Sequence, residues 1–306
     1  MNFRYLGGIN KWGILVVGVV IITIWQAEVF FGNENEPEPA DSTNSPQATL
    51  LISPSPTPSP TPTQTQIVAT RTPTPKPVDA RLEYVKTQAL AAGLDAAAVN
   101  AITTSQRLFL YPIQSVAPKP VDWAAIEAKL TSEQSLQKGR DYIATNATVF
   151  AKAETDFGVN KEALAGLIAI ETDFGKNTGN YIIFNALYSR MKQWPATTWQ
   201  SQANQIVALL RYCLEEKFDC YSIKGSYAGA FGIVQFLPSS LLAYGIDGNA
   251  DGFIDLFNSI DAVPSAANFL KKHGWDSDQL QALARYYGSP IGYPEIVLKY
   301  AQLLRQ

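Results

Sequence analysis

The chain has 306 residues, a formal net charge of −3, one histidine and two cysteines. The weak negative balance offers no electrostatic footing for a nucleic-acid partner. A Ser-His-Asp or Cys-His nucleophile would have to use His273, and a catalytic zinc ion usually wants more histidine or cysteine than this, so any chemistry is expected to be built from carboxylates.

Residues 1–32 begin with Arg4 and Lys11 and then run uncharged and apolar from Trp12 to Trp25, with only Gln26 and Glu28 interrupting before Phe31. About 20 helical residues cross a bilayer core, so the stretch is expected to be a single membrane span with a cytoplasmic N-terminus. A cleaved signal peptide is the rival reading, but Glu28, Val29 and two phenylalanines do not form a small-residue cleavage site. Residues 33–79 hold eleven of the 19 prolines. That composition cannot bury a core and favours an extended, disordered linker.

Residues 80–306 read as the folded part, and the pattern is helical. Leu82, Val85, Ala89 and Ala92 start an apolar stripe that Gly93-Leu94-Asp95 ends. Ser132 to Phe150 reads as one long amphipathic helix running on toward Phe157, closed by Gly158, with Asn160 capping the next. Cys213 and Cys220 stand about 10 Å apart on a continuous helix, too far to bridge. If the helix ends near Lys217 the loop can fold back and close a disulfide; otherwise they are two thiols, one in the core.

The pentapeptide Glu-Thr-Asp-Phe-Gly occurs twice, at Glu154–Gly158 and Glu171–Gly175. A helix from Lys161 puts Leu164, Leu167, Ile168 and Glu171 on one face of a segment that is apolar nearly all round, ended by Gly175 and Gly179. A glutamate there is either paired with an arginine or keeps its proton and serves as a proton donor near neutral pH. Glu154, beside Lys152, is expected to be a surface residue.

Downstream lies Lys224-Gly225-Ser226-Tyr227-Ala228-Gly229-Ala230-Phe231-Gly232-Ile233-Val234-Gln235-Phe236-Leu237-Pro238. Its small residues allow close approach. Ser226 and Gln235 supply neutral hydrogen-bonding groups, and Tyr227, Phe231 and Phe236 supply flat faces that suit sugar rings. Alone, such a run serves helix packing equally well. Together, Ile170–Gly175, Lys224–Ala230 through Gln235-Phe236-Leu237-Pro238-Ser239-Ser240, Gly158-Val159 and His273-Gly274-Trp275 resemble the membrane-bound lytic transglycosylase B family of peptidoglycan enzymes over residues 81–306.

The resemblance implies a mainly α fold: a lysozyme-like helical domain, here with an EF-hand-like loop and preceded by the membrane helix and linker. It sets the catalytic glutamate on Glu171 and substrate-binding residues on Ser226 and Gln235. The family's Arg-Tyr-Asn-like motif falls on Arg285-Tyr286-Tyr287: Tyr286 matches, Tyr287 stands where an asparagine is expected, and Tyr293 is set against a further tyrosine of the cleft. Helix packing is the other reading of these tyrosines. The implied reaction cleaves the bond between N-acetylmuramic acid and N-acetylglucosamine. Glu171 protonates the bridging oxygen and then takes the proton of the muramic 6-hydroxyl as that oxygen attacks, leaving a 1,6-anhydro end. Asp173, about 200° round the helix, points elsewhere. A water-using muramidase and an idle wall-binding module are the alternatives. The implied partners are glycan strands and, through the N-terminal helix, the membrane, with a monomeric catalytic domain outside the cytoplasm.

Asp247-Gly248-Asn249-Ala250-Asp251-Gly252-Phe253-Ile254-Asp255 has EF-hand spacing: oxygens at positions one, three and five, glycine at six and the Phe253 carbonyl at seven. Position twelve is Asn258 rather than glutamate. The resemblance supplies a closing aspartate three residues later, Asp261, and with it a structural calcium ion. An Asx-rich turn without an ion is the alternative.

Overall fold

Helix α6 (Lys161–Thr172) is the axis of the domain, with every residue from Ala163 to Thr172 buried. The computed structural model describes residues 79–112, 120–195 and 197–306. The expected membrane span and nearly all of the proline-rich linker lie outside the described residues. Among the described residues no helix is long and apolar enough to cross a membrane.

The chain order is α1 (Ala80–Ala91), α2 (Ala96–Thr103), α3 (Trp123–Leu130), α4 (Glu133–Thr145), α5 (Ala147–Phe157) and α6, then β1 (Tyr181–Ile182), α7 (Ile183–Gln193), α8 (Trp199–Glu215) and β2 (Lys224–Gly225). It ends with α9 (Pro238–Tyr244), α10 (Ser259–Lys272), α11 (Gln279–Tyr287) and α12 (Tyr293–Leu304). The mainly helical expectation holds. Among the described residues the one ribbon is antiparallel and pairs Tyr181 with Gly225 and Ile182 with Lys224.

Local chemistry sets the limits of α6. Gly158, at φ 70°, closes α5, and the Asn160 side chain accepts the Ala163 N–H at 2.8 Å to start the next helix. Leu164, Leu167, Ile168 and Ile170 are wholly buried, each such side chain contributing about 2 kcal/mol relative to exposure. Helices α4, α5, α10 and α12 pack around α6. Gly166 lets α12 approach: an added Cβ would lie 3.1 Å from the Val297 carbonyl oxygen and from the Tyr300 ring. A second group forms where α7 packs on α8, and α8 also meets α1 and α9.

The structure corrects the expected continuous helix from Ser132 to Phe150. Asn146 breaks it, its side-chain amide donating to the Tyr142 carbonyl at 2.9 Å. Such local competition for backbone acceptors favours helix ends over helix interiors. Helix α8 does stop at Glu215, Lys217 adopts φ 55°, and Cys213 and Cys220 are bridged with their Cα atoms 5.4 Å apart.

Candidate active site

The backbone changes course directly after Glu171. Helix α6 stops at Thr172, and Asp173, Phe174 and Gly175 follow at φ 48°, 61° and 85°. Two consecutive non-glycine residues in the left-handed region cost on the order of 1–3 kcal/mol each and persist only where their surroundings hold them. Here Thr172 supplies the hold: its hydroxyl donates to the Ile233 carbonyl at 2.8 Å and accepts the Gly175 N–H at 2.9 Å. No spacing rule in the sequence would have selected Thr172. The helix therefore ends earlier than the Gly175 and Gly179 signals suggested.

Glu171 is 4% exposed. Burial pushes its carboxyl up to about 8, against a smaller opposing pull from a hydrogen bond to Tyr293. Among the described residues that partner is a phenol, not an arginine: Tyr293 Oη donates to Oε1 at 2.7 Å. Glu171 is thus a protonated acid at neutral pH, with Oε2 left to carry the proton. Asp173 is turned away, paired with Lys138 at 3.0 Å. The twin, Glu154, is half-buried, and its Oε1 accepts the first N–H of α6, from Lys161, at 2.8 Å. It is a structural cap rather than a bare surface residue.

Tyr293 reaches Glu171 from the first residue of α12. Gly292 precedes it at φ 82°, and a Cβ there would sit 2.3 Å from Trp123, so this turn requires glycine. Tyr286 hydrogen-bonds the Val234 carbonyl at 2.6 Å. Tyr287 is buried, stacked on Tyr293 with centroids 4.6 Å apart and planes 6° apart, and edge-on to Trp123 at 5.5 Å.

The segment between the end of α6 and Tyr286 is Ile233–Phe236. Gln235 adopts φ 50°, and its amide nitrogen donates to the carbonyls of Thr178 at 3.0 Å and Gly232 at 2.8 Å. Its Oε1 is buried without a partner among the described residues. Ser226 is buried, its hydroxyl accepting the Ala230 N–H at 3.1 Å. Glycine is obligatory beside it: a Cβ on Gly179 would lie 2.2 Å from the Gly225 carbonyl carbon. Of the expected flat faces, Phe231 and Phe236 are 1% and 3% exposed and belong to the core, against Tyr212 and Phe269. Tyr227 is half-buried, edge-on to Tyr181 at 5.4 Å, and donates to Gln193 at 2.8 Å.

A model of the transglycosylase SLT domain matches residues 77–286. The chain belongs to this family. Membrane-bound lytic murein transglycosylase B of Escherichia coli is 31% identical over 173 residues, which are 56% of this chain and 47% of the relative. The chain thus matches about half the length of that curated relative. The E. coli lytic transglycosylase Slt35 in complex with calcium has 21% identity, a TM-score of 0.64, and an overlap of 74% of this chain and 93% of the other. Pseudomonas aeruginosa SltB3 in complex with NAG-anhNAM-pentapeptide has 23% identity, a TM-score of 0.56, and an overlap of 63% and 52%. The mainly helical architecture of this SLT-domain chain is therefore that of lytic transglycosylase structures.

The loop expected to hold calcium is tied together by its own side chains and backbone N–H groups. Asp247 Oδ2 accepts the Gly252 N–H at 2.8 Å, Asp251 Oδ1 accepts from Phe253 at 2.9 Å, and Asn249 Nδ2 donates to Asp251 at 2.7 Å. Asp261, in the first turn of α10 and 2% exposed, closes the loop by accepting the N–H groups of Gly248 at 2.8 Å and Asp255 at 2.7 Å. Burial, and then the charges of Asp247 and Asp251, raise its carboxyl. Glu216 is raised too, by burial and by Glu215, Asp247 and Asp251, and sequence reading missed it. This oxygen-rich donor set suits a hard cation. Among the described residues, however, no three acidic, histidine or cysteine side chains converge on one cation position.

Proposed function

We propose that this SLT-domain chain is a peptidoglycan lytic transglycosylase. The observation that carries the reading is Glu171: a buried acid, protonated at neutral pH and held by Tyr293. A general acid needs a proton at the working pH and an affinity for it near that pH. Glu171 donates to the oxygen linking N-acetylmuramic acid to N-acetylglucosamine. The muramic 6-hydroxyl oxygen attacks the anomeric carbon as the bond breaks. The Glu171 carboxylate then takes that hydroxyl's proton, so the acid is restored, no water is consumed and a 1,6-anhydro end results. Asp173 pairs with Lys138 and so does not serve as a second flanking carboxylate, which supports the single-acid route.

The name of the E. coli relative and the anhydro-sugar ligand of SltB3 support the substrate class. Ser226 and Gln235 orient the substrate's acetamido group, and Tyr286 and Tyr293 are the further substrate-binding residues. A structural calcium ion is assigned to Asp247, Asn249, Asp251, the Phe253 carbonyl and Asp261, consistent with the calcium complex of Slt35. When bound, it neutralises the carboxylates facing one another there. The apolar run from Trp12, with the membrane-bound name of the relative, supports a single-pass anchor and an extracytoplasmic domain.

Mass spectrometry of muropeptides released by the full chain tests the activity. Anhydro-muramic ends are expected. Reducing ends would convert the reading to hydrolysis, and no release would leave a wall-binding module.

A further inference from the structure

Arg190, in the last turn of α7, is 8% exposed. Burial lowers its guanidinium to about 10, so it is still a cation at neutral pH. A buried cation is costly unless a hydrogen-bonded acid answers it. The more exposed Arg107 pairs with Asp219, and Arg305 with Glu162. Among the described residues Arg190 has no acidic partner. Its one hydrogen bond there runs from Nε to Gln202 Oε1 and is long, 3.4 Å.

Helix packing does not account for this charge. The guanidinium carbon lies over the Trp194 ring, 5.0 Å from its centroid, and over the Tyr227 ring at 5.7 Å. Such contacts engage the flat faces of the cation and leave its N–H edge to other partners. A helix C-terminus favours a cation, but carbonyls at the end of α7 are taken by Arg81, whose Nη1 donates to Met191 and, at 3.0 Å, to Trp194. The two terminal nitrogens of Arg190 have no protein acceptor among the described residues, and they are not sealed from solvent. That pair is the fork that grips a planar anion at two points.

Tyr227 ties the cation to the proposed substrate loop, because it follows Ser226 directly. The loop of residues 226–230 lies against α7: a Cβ on Gly229 would meet Leu187 at 2.3 Å. Leu187 and Arg190 share a helix face at i and i+3. In a peptidoglycan strand the lactyl carboxyl of muramic acid is used in the amide to its peptide, so the free acids are those of the peptide. We infer that Arg190 is a receptor for a carboxylate of the peptide borne by muramic acid, held by the two terminal nitrogens while Trp194 and Tyr227 cover the faces of the guanidinium. This rests on peptidoglycan being the substrate, and it adds a residue that reads the peptide rather than the sugars.

Calorimetry on the full chain tests this with a GlcNAc-MurNAc disaccharide bearing a peptide, which has no MurNAc-GlcNAc bond to break. The comparison ligands are the same compound with its peptide carboxylates amidated, and the peptide-free disaccharide, whose lactyl carboxylate is free. Wild type should bind the free-acid peptide about tenfold more tightly than the amidated one. Arg190→Gln should erase that ratio and leave affinity for the amidated ligand unchanged. Its melting temperature without ligand should hold or rise, because an unanswered charge has gone. Arg190→Lys keeps the charge without the fork and should restore only part of the ratio. Equal affinities of wild type for the two peptide ligands overturn the proposal, and so does a ratio that survives in Arg190→Gln, whatever its melting temperature. An Arg190-dependent affinity confined to the peptide-free disaccharide overturns it too, in favour of the lactyl acid. The ratios are read without turnover: reducing ends in the muropeptide assay would leave them standing, and anhydro ends would not rescue them.

Discussion

Glu154 and Glu171 occupy the same pentapeptide and hold opposite ends of the same helix: one accepts the first N–H of α6, while the other is buried in its last turn. Glu171→Gln should therefore lower wall cleavage by about 100-fold or more while the chain stays folded, the usual share of a general acid. Glu154→Gln should leave turnover within a few-fold of wild type and lower stability by about 1 kcal/mol through a weakened cap. Muropeptide release and thermal melts on both variants read these outcomes, and equal activity losses would refute the assignment.

The elevated carboxyl of Glu171 also fixes a direction for stability against pH. Its folded-state value, about 8, lies above the ordinary 4.5. Its contribution is fully present below about pH 4.5, declines as pH rises through that window, and is gone above about 8. The stability of Glu171→Gln relative to wild type should rise across the same window, by on the order of a few kcal/mol. Chemical denaturation at a series of pH values measures the difference, and a flat difference contradicts the burial argument.

Tyr293 opposes that elevation by donating to Glu171. Tyr293→Phe should raise the carboxyl further and carry the alkaline limb of the rate profile upward. It should also cost about 1–2 kcal/mol of stability, because a buried hydrogen bond is lost. A limb that moves down would reverse the assigned roles of donor and acceptor.

Calcium should stabilise the loop closed by Asp261. Adding the ion to chelator-treated protein is expected to raise the melting temperature by several degrees, as binding to the folded state alone requires. Asp247→Ala, which leaves the buried closing residue in place, should abolish the rise. Calorimetry showing no heat of binding and no change in melting would assign the loop to an Asx turn.

Gly292→Ala should be among the most damaging single-methyl changes in the domain. The added carbon meets Trp123 at 2.3 Å on a backbone at φ 82°. A loss of about 2 kcal/mol or more is expected, together with reduced activity because Tyr293 follows directly. Unchanged melting would show that the turn relaxes freely.

Much of this was legible in the residues because burial and period coincide there. The apolar run around Glu171 announces a central helix, and capping chemistry at Asn160 locates its start. Other features depend on partners far along the chain. Asn146 breaks a segment whose apolar spacing is otherwise continuous, by bonding the Tyr142 carbonyl. Phe231 and Phe236 look like sugar platforms until Tyr212 and Phe269 cover them. Thr172 matters only because Ile233 comes to it from 61 residues away. Tyr287 reads as a mere departure from an expected asparagine until Trp123 is seen edge-on to its ring.

The early end of α6 has an electrostatic consequence. Peptide dipoles sum along a helix to about half a negative charge at its C-terminus, concentrated in the last turn. Glu171 sits one residue before that end, so the helix itself disfavours the carboxylate and adds to the effect of burial. The bend at Asp173 and Phe174 thus does more than turn the chain. It places the negative pole of α6 beside the acid, and a sequence change that let the helix run on would carry that pole away and loosen the proton.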